Sequence, residues 1–396
     1  MRLCLFEDPQ VDALRPLTAT RAAFELRLGP RTLGDWTASR LGAKGSVADV
    51  LVREEIEEVV RERHPNRSVN RVSGREDGLF VNARFVPLEP AVRRLRETLP
   101  DRRGEGRIWT HGDQVVAVFV PETNLFSGAR IGIQEGDLVD HERLLAETRR
   151  FEAVPLEEAF LIDRPSDIVR ILPESLAADA ASLADARRTS FAEESGGVHV
   201  ASSATVRSDT VLDASRGPIV IDEGVIVEWK SVLRGPVYVG TGSLVRAGTK
   251  LECTAVGPVC KVAGEITHSV LHGYSNKAHG GFLGHSYIGS WCNLGAQTTT
   301  SNLRNDYGPV GLYDPVSGED RETGETFLGC FMGDHSKTAI HTRFNTGTVV
   351  GVFCNVFGAG FQPRRIPPFS WGGSDGLELY RFERAEEVAR RVMARR

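Results

Sequence analysis

From Val200 onward, aliphatic side chains recur at every sixth residue. Val200, Val206 and Leu212 begin the series, and after a slip near Gly217-Pro218 it runs Ile221, Val227, Leu233, Val239, Val245, Leu251. Val270, Phe282, Ile288 and Leu294 resume it, with Asn276 at the missing step, and Leu328, Ile340 and Val352 carry it on. A period of six fits neither a 3.6-residue helix nor a two-residue strand. It is the mark of a hexapeptide β-helix, in which each unit forms one face of a triangular coil. The aliphatic residue points inward, and glycine or another small residue is expected to turn each corner. The period alone leaves the hand of the coil open.

Residues 1–190 follow a different pattern. Apolar runs at 3–6, 47–52, 79–81 and 115–120 read as strands, and helical patterns lie at 54–63, 90–99, 141–150 and 165–186. The alternation predicts a mainly parallel, doubly wound sheet with ligands at the C-terminal ends of its strands. Small, polar residues at 181–197 read as a linker. The polar stretch 303–326, containing DYGP, YDPVSGED and ETGE, should project from the coil. Prolines at 363, 367 and 368 are expected to end β pairing, and 377–395 reads as an amphipathic helix capping the last coil. The expected domains are therefore 1–190, 191–371 and a terminal 372–396.

A formal net charge of −5 argues against general nucleic-acid binding. No uncharged apolar stretch approaches the roughly 20 residues of a membrane span, and MRLCLFEDPQ turns acidic too early for a secretory signal. Six cysteines without a CxxC pair suit reduced thiols, so a cytoplasmic protein is expected.

Histidine, lysine and asparagine concentrate in HGYSNKAHGGFLGHSYIGSWCNLGAQTTTSN, residues 272–302, where they line an edge of the coil. Within it and just beyond lie KAHGGFLG (277–284), NLGAQT (293–298) and SNLRND (301–306). These resemble the KAGHxxYLG, NIGAGT and CNYDG motifs of bifunctional N-acetylglucosamine-1-phosphate uridylyltransferases/glucosamine-1-phosphate N-acetyltransferases. That family joins an α/β nucleotidyltransferase domain to a left-handed β-helix. The resemblance implies a left-handed coil, a homotrimer with sites between subunits, and acetyl-CoA as acyl donor. It casts His279 as the base that takes a proton from the acceptor amine. Asn293 and Asn302 become substrate ligands, Ala296 a backbone contact to the acetyl group, and Arg246, Lys261 and Lys277 further substrate or acetyl-CoA contacts. Phe282 and Leu303 stand where the family has tyrosines, and Gln297 where it has glycine, which bears on the acceptor sugar.

Nucleotidyltransferases of this kind carry a GxGTRM loop and a PK pair after the first strand. This chain has DALRPLTATRAAFELRLG at 12–29 instead, similar to a divergent branch with PLTxTR. By resemblance, Thr20 and Arg21 stand for the TR pair, Arg27 for the motif lysine, and Thr18 for part of the turn. Arg15, Arg21 and Arg27 supply positive charge for phosphates. Asn82 falls where the family has its metal-binding aspartate, making Mg2+ a weakly held candidate, with Glu7 and Asp8 as substitute carboxylates. His279/His285 and His335/His341, each six apart, lie on successive faces, so no metal centre is assigned to them. Three functions remain open: both transfers, on sugar phosphates and nucleotides; nucleotidyl transfer alone on a trimeric scaffold; and nucleotide-sugar binding without turnover.

Overall fold

The computed structural model describes residues 1–42, 47, 49–70, 77–100, 104–121, 151–187 and 189–395. They form two compact units. The first comprises Met1–Leu14, Thr20–Leu26 and Arg31–Asp163; the second comprises Arg15–Ala19, Arg27–Pro30 and Arg164–Arg396.

In the first unit β1 (Arg2–Phe6), β2 (Asp49–Leu51), β3 (Ser68–Val69), β4 (Gly78–Asn82), β5 (Arg107–His111), β6 (Gln114–Val120) and β7 (Glu152–Pro155) make one sheet, in the order β3-β2-β1-β4-β6-β5-β7. Only β6 runs against the rest, so the expected mainly parallel sheet is present with one reversed strand. Around it lie α1 (Leu33–Leu41), started by Thr32 accepting from Asp35 N, α2 (Glu57–Arg63) and α3 (Glu89–Glu97). The helix expected at 141–150 lies outside the described residues. Asp8 and Asn82 follow β1 and end β4, neighbouring strands whose C-terminal ends are where open α/β sheets bind ligands.

The second unit is a parallel β-helix. One face is built from Val198–Ala201, Ile219–Ile221, Val232–Val239, Lys250–Val256, Glu265–Gly273, Tyr287–Ser290, Cys330–Met332, Thr348–Val350 and Arg365–Ile366 in successive register. Inside it Val200, Ile221, Val227, Leu233, Val239, Val245 and Leu251 join one apolar core, as the six-residue period predicts. After Leu251 the inward residues keep the expected series at Ile288 and Leu294 but leave it at other steps. Leu271 and Leu283 point inward in place of Val270 and Phe282, Lys277 takes the step assigned to Asn276, and Met332, Phe344, Val350 and Val356 follow. Ile340 is 68 % exposed. Coils of unequal length shift the phase, and a one-residue slip exchanges the two faces of a strand.

Corners are not made by small residues alone. Tyr274, Trp291, His335, Phe353 and Phe369 all have positive φ. Their rings form a staircase, with centroids 4.4 Å apart for Tyr274–Trp291, 4.7 Å for His335–Phe353 and 5.1 Å for Phe353–Phe369. A left-handed conformation costs an L-residue about 1–2 kcal/mol. Stacking of about 0.5–1.5 kcal/mol per pair offsets much of it.

Three boundaries differ from expectation. Helix α4 (Pro165–Ala186) belongs to the second unit and carries a stripe of Ile168, Leu172, Leu176, Ala180 and Leu183 that buries against the coil strands. The expected linker ends in a strand, Phe191–Ser195, paired antiparallel with Val198–Ala201. Pairing also survives the prolines, because Pro367 and Pro368 sit at a corner between Arg365–Ile366 and Ser370–Gly373, where no ladder donor is needed. An antiparallel hairpin of Ser370–Gly373 with Gly376–Leu379 then closes the coil. Helix α5 (Phe382–Met393) starts with Phe382 against Phe369 of the last coil and runs back along a face, bringing Val392 and Arg395 beside Asn276. The inserted stretch forms its own hairpin, Gly311–Asp314 with Glu319–Glu322, tied down by Arg364 on Asp320 (3.0 Å) and Arg365 over the Tyr313 ring. No described helix is long and apolar enough to cross a membrane.

Candidate functional site

Four polar residues stand in one column on the coil. The pairings Lys261–Asn276, Asn276–Asn293 and Asn293–Lys337 place them at the same step of successive coils, each just before an inward position. Asn276 Nδ2 donates to Asn293 Oδ1 (3.3 Å), while Asn276 Oδ1 is buried without a partner. Beside this column lie two clefts. One of about 450 Å³ is lined by Lys261, Asn276 and Arg395, and one of about 270 Å³ by Asn276, Asn293, Lys337 and Arg395. Burial lowers the pKa of Lys337, whose Nζ donates to the His335 carbonyl at 2.7 Å.

Past the column the chain turns at residues 278–281 and enters the strand Phe282–Gly284. His279 is exposed on this turn. On the far side, Asn302 Nδ2 donates to His285 Nδ1 at 2.8 Å, and His285 stacks on His268 with centroids 4.6 Å apart. Burial, helped by His268, lowers the His285 pKa to about 4, so the ring is a neutral acceptor and fixes the Asn302 amide. A side chain at Gly284 would collide with both the Phe282 ring and Asn302, so the glycine lets those two converge. His279 thus occupies the corner between the Lys261–Asn293 column and the Phe282–Asn302 face.

The other expected coil residues fall less simply. Arg246 is exposed and 3.5 Å from Glu228. Ala296 lies at the next corner, its carbonyl accepting from His341 N (2.7 Å). Gln297, in place of a glycine, holds φ +60° there. Lys277 faces the interior, 1 % exposed, with Nζ bonded to the carbonyls of Ala263, His279 and Gly280. In that position it cannot reach a surface ligand.

In the first unit the carboxylates after β1 are already engaged. Glu7 accepts from Ala23 N (2.7 Å) and from Arg53 Nη1 (2.8 Å), and Arg53 Nη2 holds the Arg21 carbonyl. This buried pair pins the Thr20–Ala23 stretch. Asp8 receives Arg84 Nε (2.8 Å) and Nη2 (2.6 Å), and Arg84 also binds Asp163 and Gln114. Asn82 donates to Asp8 (2.6 Å) and accepts from Arg84 N (3.0 Å). Arg84 and Asp8 are both fully buried. A divalent cation at Asn82 would have to displace a guanidinium held on both carboxylate oxygens, so these residues do not fit Mg2+. Among the described residues no group of three or more His, Cys, Asp or Glu side chains is arranged to hold a metal. The expected phosphate ligands are divided: Thr20 and Arg21 belong to the first unit, Arg15, Thr18 and Arg27 to the second. Arg27 N donates to Tyr287 Oη (3.2 Å) within the second unit.

Sequence reasoning did not single out Lys337, Arg84 or Arg53. Lys337 repeats the polar step of Asn276 and Asn293, a signal visible only once coil lengths are known. The arginines carried no signal, because their partners lie far away in sequence.

Residues 3–188 match the family model described as sugar nucleotidyl transferase. The chain is 36 % identical over 142 residues to the bifunctional protein GlmU of Methanococcus vannielii, covering 34 % of this chain and 33 % of that protein. Against GlmU of Methanocaldococcus jannaschii it is 35 % identical over 146 residues, covering 35 % and 34 %. Against the bifunctional sugar-1-phosphate nucleotidylyltransferase/acetyltransferase of Sulfurisphaera tokodaii it is 31 % identical over 93 residues, covering 24 % and 23 %. The matched segments thus span between 23 % and 34 % of the length of these relatives.

Proposed function

We propose that this chain, whose residues 3–188 match the sugar nucleotidyl transferase model, is a sugar-phosphate transferase whose principal chemistry is acyl transfer on the β-helix. The acceptor is the amine of an amino-sugar phosphate or nucleotide sugar, and acetyl-CoA is the donor. One observation carries this reading. His279, exposed on a glycine turn, stands at the corner between the Lys261–Asn293 column and the amide of Asn302, itself fixed by neutral His285.

The chemistry follows from those positions. The acceptor ammonium must lose a proton before its nitrogen can attack the thioester carbonyl, and an imidazole nitrogen facing solvent is a group able to take it. Lys261 and Lys337 supply positive charge for a phosphate. Asn293, with Oδ1 occupied by Asn276, has Nδ2 available to donate, and Asn302 offers its amide across the corner. Donors placed where negative charge develops stabilise the tetrahedral intermediate. Phe282 closes that side with an apolar ring, which favours an acceptor lacking a hydroxyl-accepting group there. Assembly as a homotrimer, with neighbouring coils completing each cleft, is part of the proposal.

Free thiol released from acetyl-CoA with glucosamine 1-phosphate as acceptor tests the reading. Release in the wild type and its loss in His279→Ala, with the oligomer intact, is expected; undiminished release by His279→Ala refutes His279 as base. For the first unit, the match to the sugar nucleotidyl transferase model supports a nucleotide and a sugar 1-phosphate as ligands. The occupation of Asp8 and Asn82 by Arg84 favours a second reading there, in which nucleotide sugar is bound without turnover. Pyrophosphate release from UTP and a sugar 1-phosphate would overturn that reading.

A further inference from the structure

We infer that Lys277 is a positioning residue: from inside the coil, its ammonium fixes the turn that carries His279. The inference rests on the proposed role of His279. Lys277 lies in an inward column with Val227, Val245 and Val262 before it, and the Asn276–Asn293 bridge brings Leu294 after it. Every other residue in that stretch of the column is aliphatic and belongs to the apolar core. A charged amine is poorly tolerated there unless each of its donors is satisfied. It has three donors and three acceptors: the carbonyls of Ala263 (3.2 Å), His279 (3.0 Å) and Gly280 (3.2 Å).

Two of those acceptors are successive carbonyls of the turn itself. Both are drawn inward toward Nζ, which leaves the His279 side chain projecting outward. The Gly280 carbonyl is held a second time, by Gln297 N from the next coil (3.0 Å). Gly281 then continues at φ +112°. An aliphatic residue at 277 would fill the same space, yet leave the peptide planes around His279 without their common anchor. Lysine at this step is therefore accounted for by the turn above it, and filling the core does not explain it.

The test compares full-length wild type, Lys277→Met and Lys277→Gln. It uses acetyl-CoA with glucosamine 1-phosphate, and diethyl pyrocarbonate as a probe of His279 read by peptide mass spectrometry. Methionine matches the stem and suits the core, so melting should survive. The expected result is a kcat lower by about 10- to 100-fold with both KM values little changed, as for a misplaced reacting group. The His279 modification rate should also change several-fold, and glutamine, which retains amide donors, should lie between. Wild-type kcat together with an unchanged modification rate in Lys277→Met overturns the inference. If the wild type transfers no acetyl group, the proposed function fails, but the modification rates still decide the role of Lys277. Should Lys277→Met not fold, the same two readouts on Lys277→Gln decide it: altered rates uphold the inference, and unaltered rates overturn it.

Discussion

Arg84→Met removes two guanidinium bonds from a carboxylate that has no exposure to water. Asp8 and Arg84 are each 0 % exposed, and the same arginine binds Asp163, Gln114 and the Ile162 carbonyl. Removing one partner of a buried pair costs about 3–5 kcal/mol, because the remaining charge loses its compensation without gaining solvent. With a urea dependence of about 2 kcal/mol/M, the midpoint of the first unit should fall by about 2 M. Cys4, 1 % exposed in β1, is the one cysteine in the first unit, so its labelling reports that unit alone. Neutralising the orphaned carboxylate should recover part of the loss. Asp8→Asn/Arg84→Met is expected to be more stable than Arg84→Met alone, with a coupling energy of about 1–3 kcal/mol. A fall below about 0.5 M for Arg84→Met, worth about 1 kcal/mol at that slope, would refute the reasoning. Strict additivity in the double variant would refute it as well.

Other expectations follow from the same kind of accounting. Burial would raise the pKa of Glu25, but the hydrogen bond with His64, the charge of Arg63 and the Ala22 N–H bring it down to about 2 from 4.5. A depressed carboxylate stabilises the fold above its unfolded pKa, and the contribution, about 3 kcal/mol, is lost as pH falls from 4.5 to about 2. Glu25→Gln should flatten the acid dependence of Cys4 labelling over that window, and an unchanged slope would count against it. At Gly281, φ is +112° and a methyl group would overlap the Thr298 carbonyl oxygen. Gly281→Ala should therefore destabilise the coil by more than about 1 kcal/mol, seen as a lower melting temperature and lost acetyl transfer. An unchanged melting curve would show that the turn can shift to accommodate the methyl.

Much of the architecture was legible because it is periodic. The run from Val200 to Leu251 has one residue per face at a fixed step, and hydrophobic burial selects those residues wherever the coil forms. Helix α4 was legible to its ends, from Pro165 in the first turn and its apolar stripe, but not its partner. The stripe fits any flat apolar surface, and which surface it meets is a tertiary fact. Beyond Leu251 the phase held at Ile288 and Leu294 but slipped elsewhere, since Val270 and Leu271 or Phe282 and Leu283 are equally apolar neighbours and only the coil length chooses between them. The same slip hid Lys277. A lysine beside an asparagine in a polar motif reads as a surface pair, and only the observed register turns one of them inward.

The first unit shows the same division. Strands β1, β4 and β6 were visible as apolar runs, whereas the state of Asp8 and Asn82 was not. A carboxylate and an amide near strand ends are compatible with a metal, a substrate or an arginine. The choice fell to Arg84, two residues past β4, folding back between them. By itself, then, the sequence determined what depends on local period and composition: a coil of hexads, an α/β unit before it, and a polar edge containing His279. Tertiary structure alone decided which lysine is a core residue, which asparagines share a column, and which carboxylates are already neutralised. Burial and hydrogen-bond saturation belong to the space between segments, and residues distant in sequence fill that space.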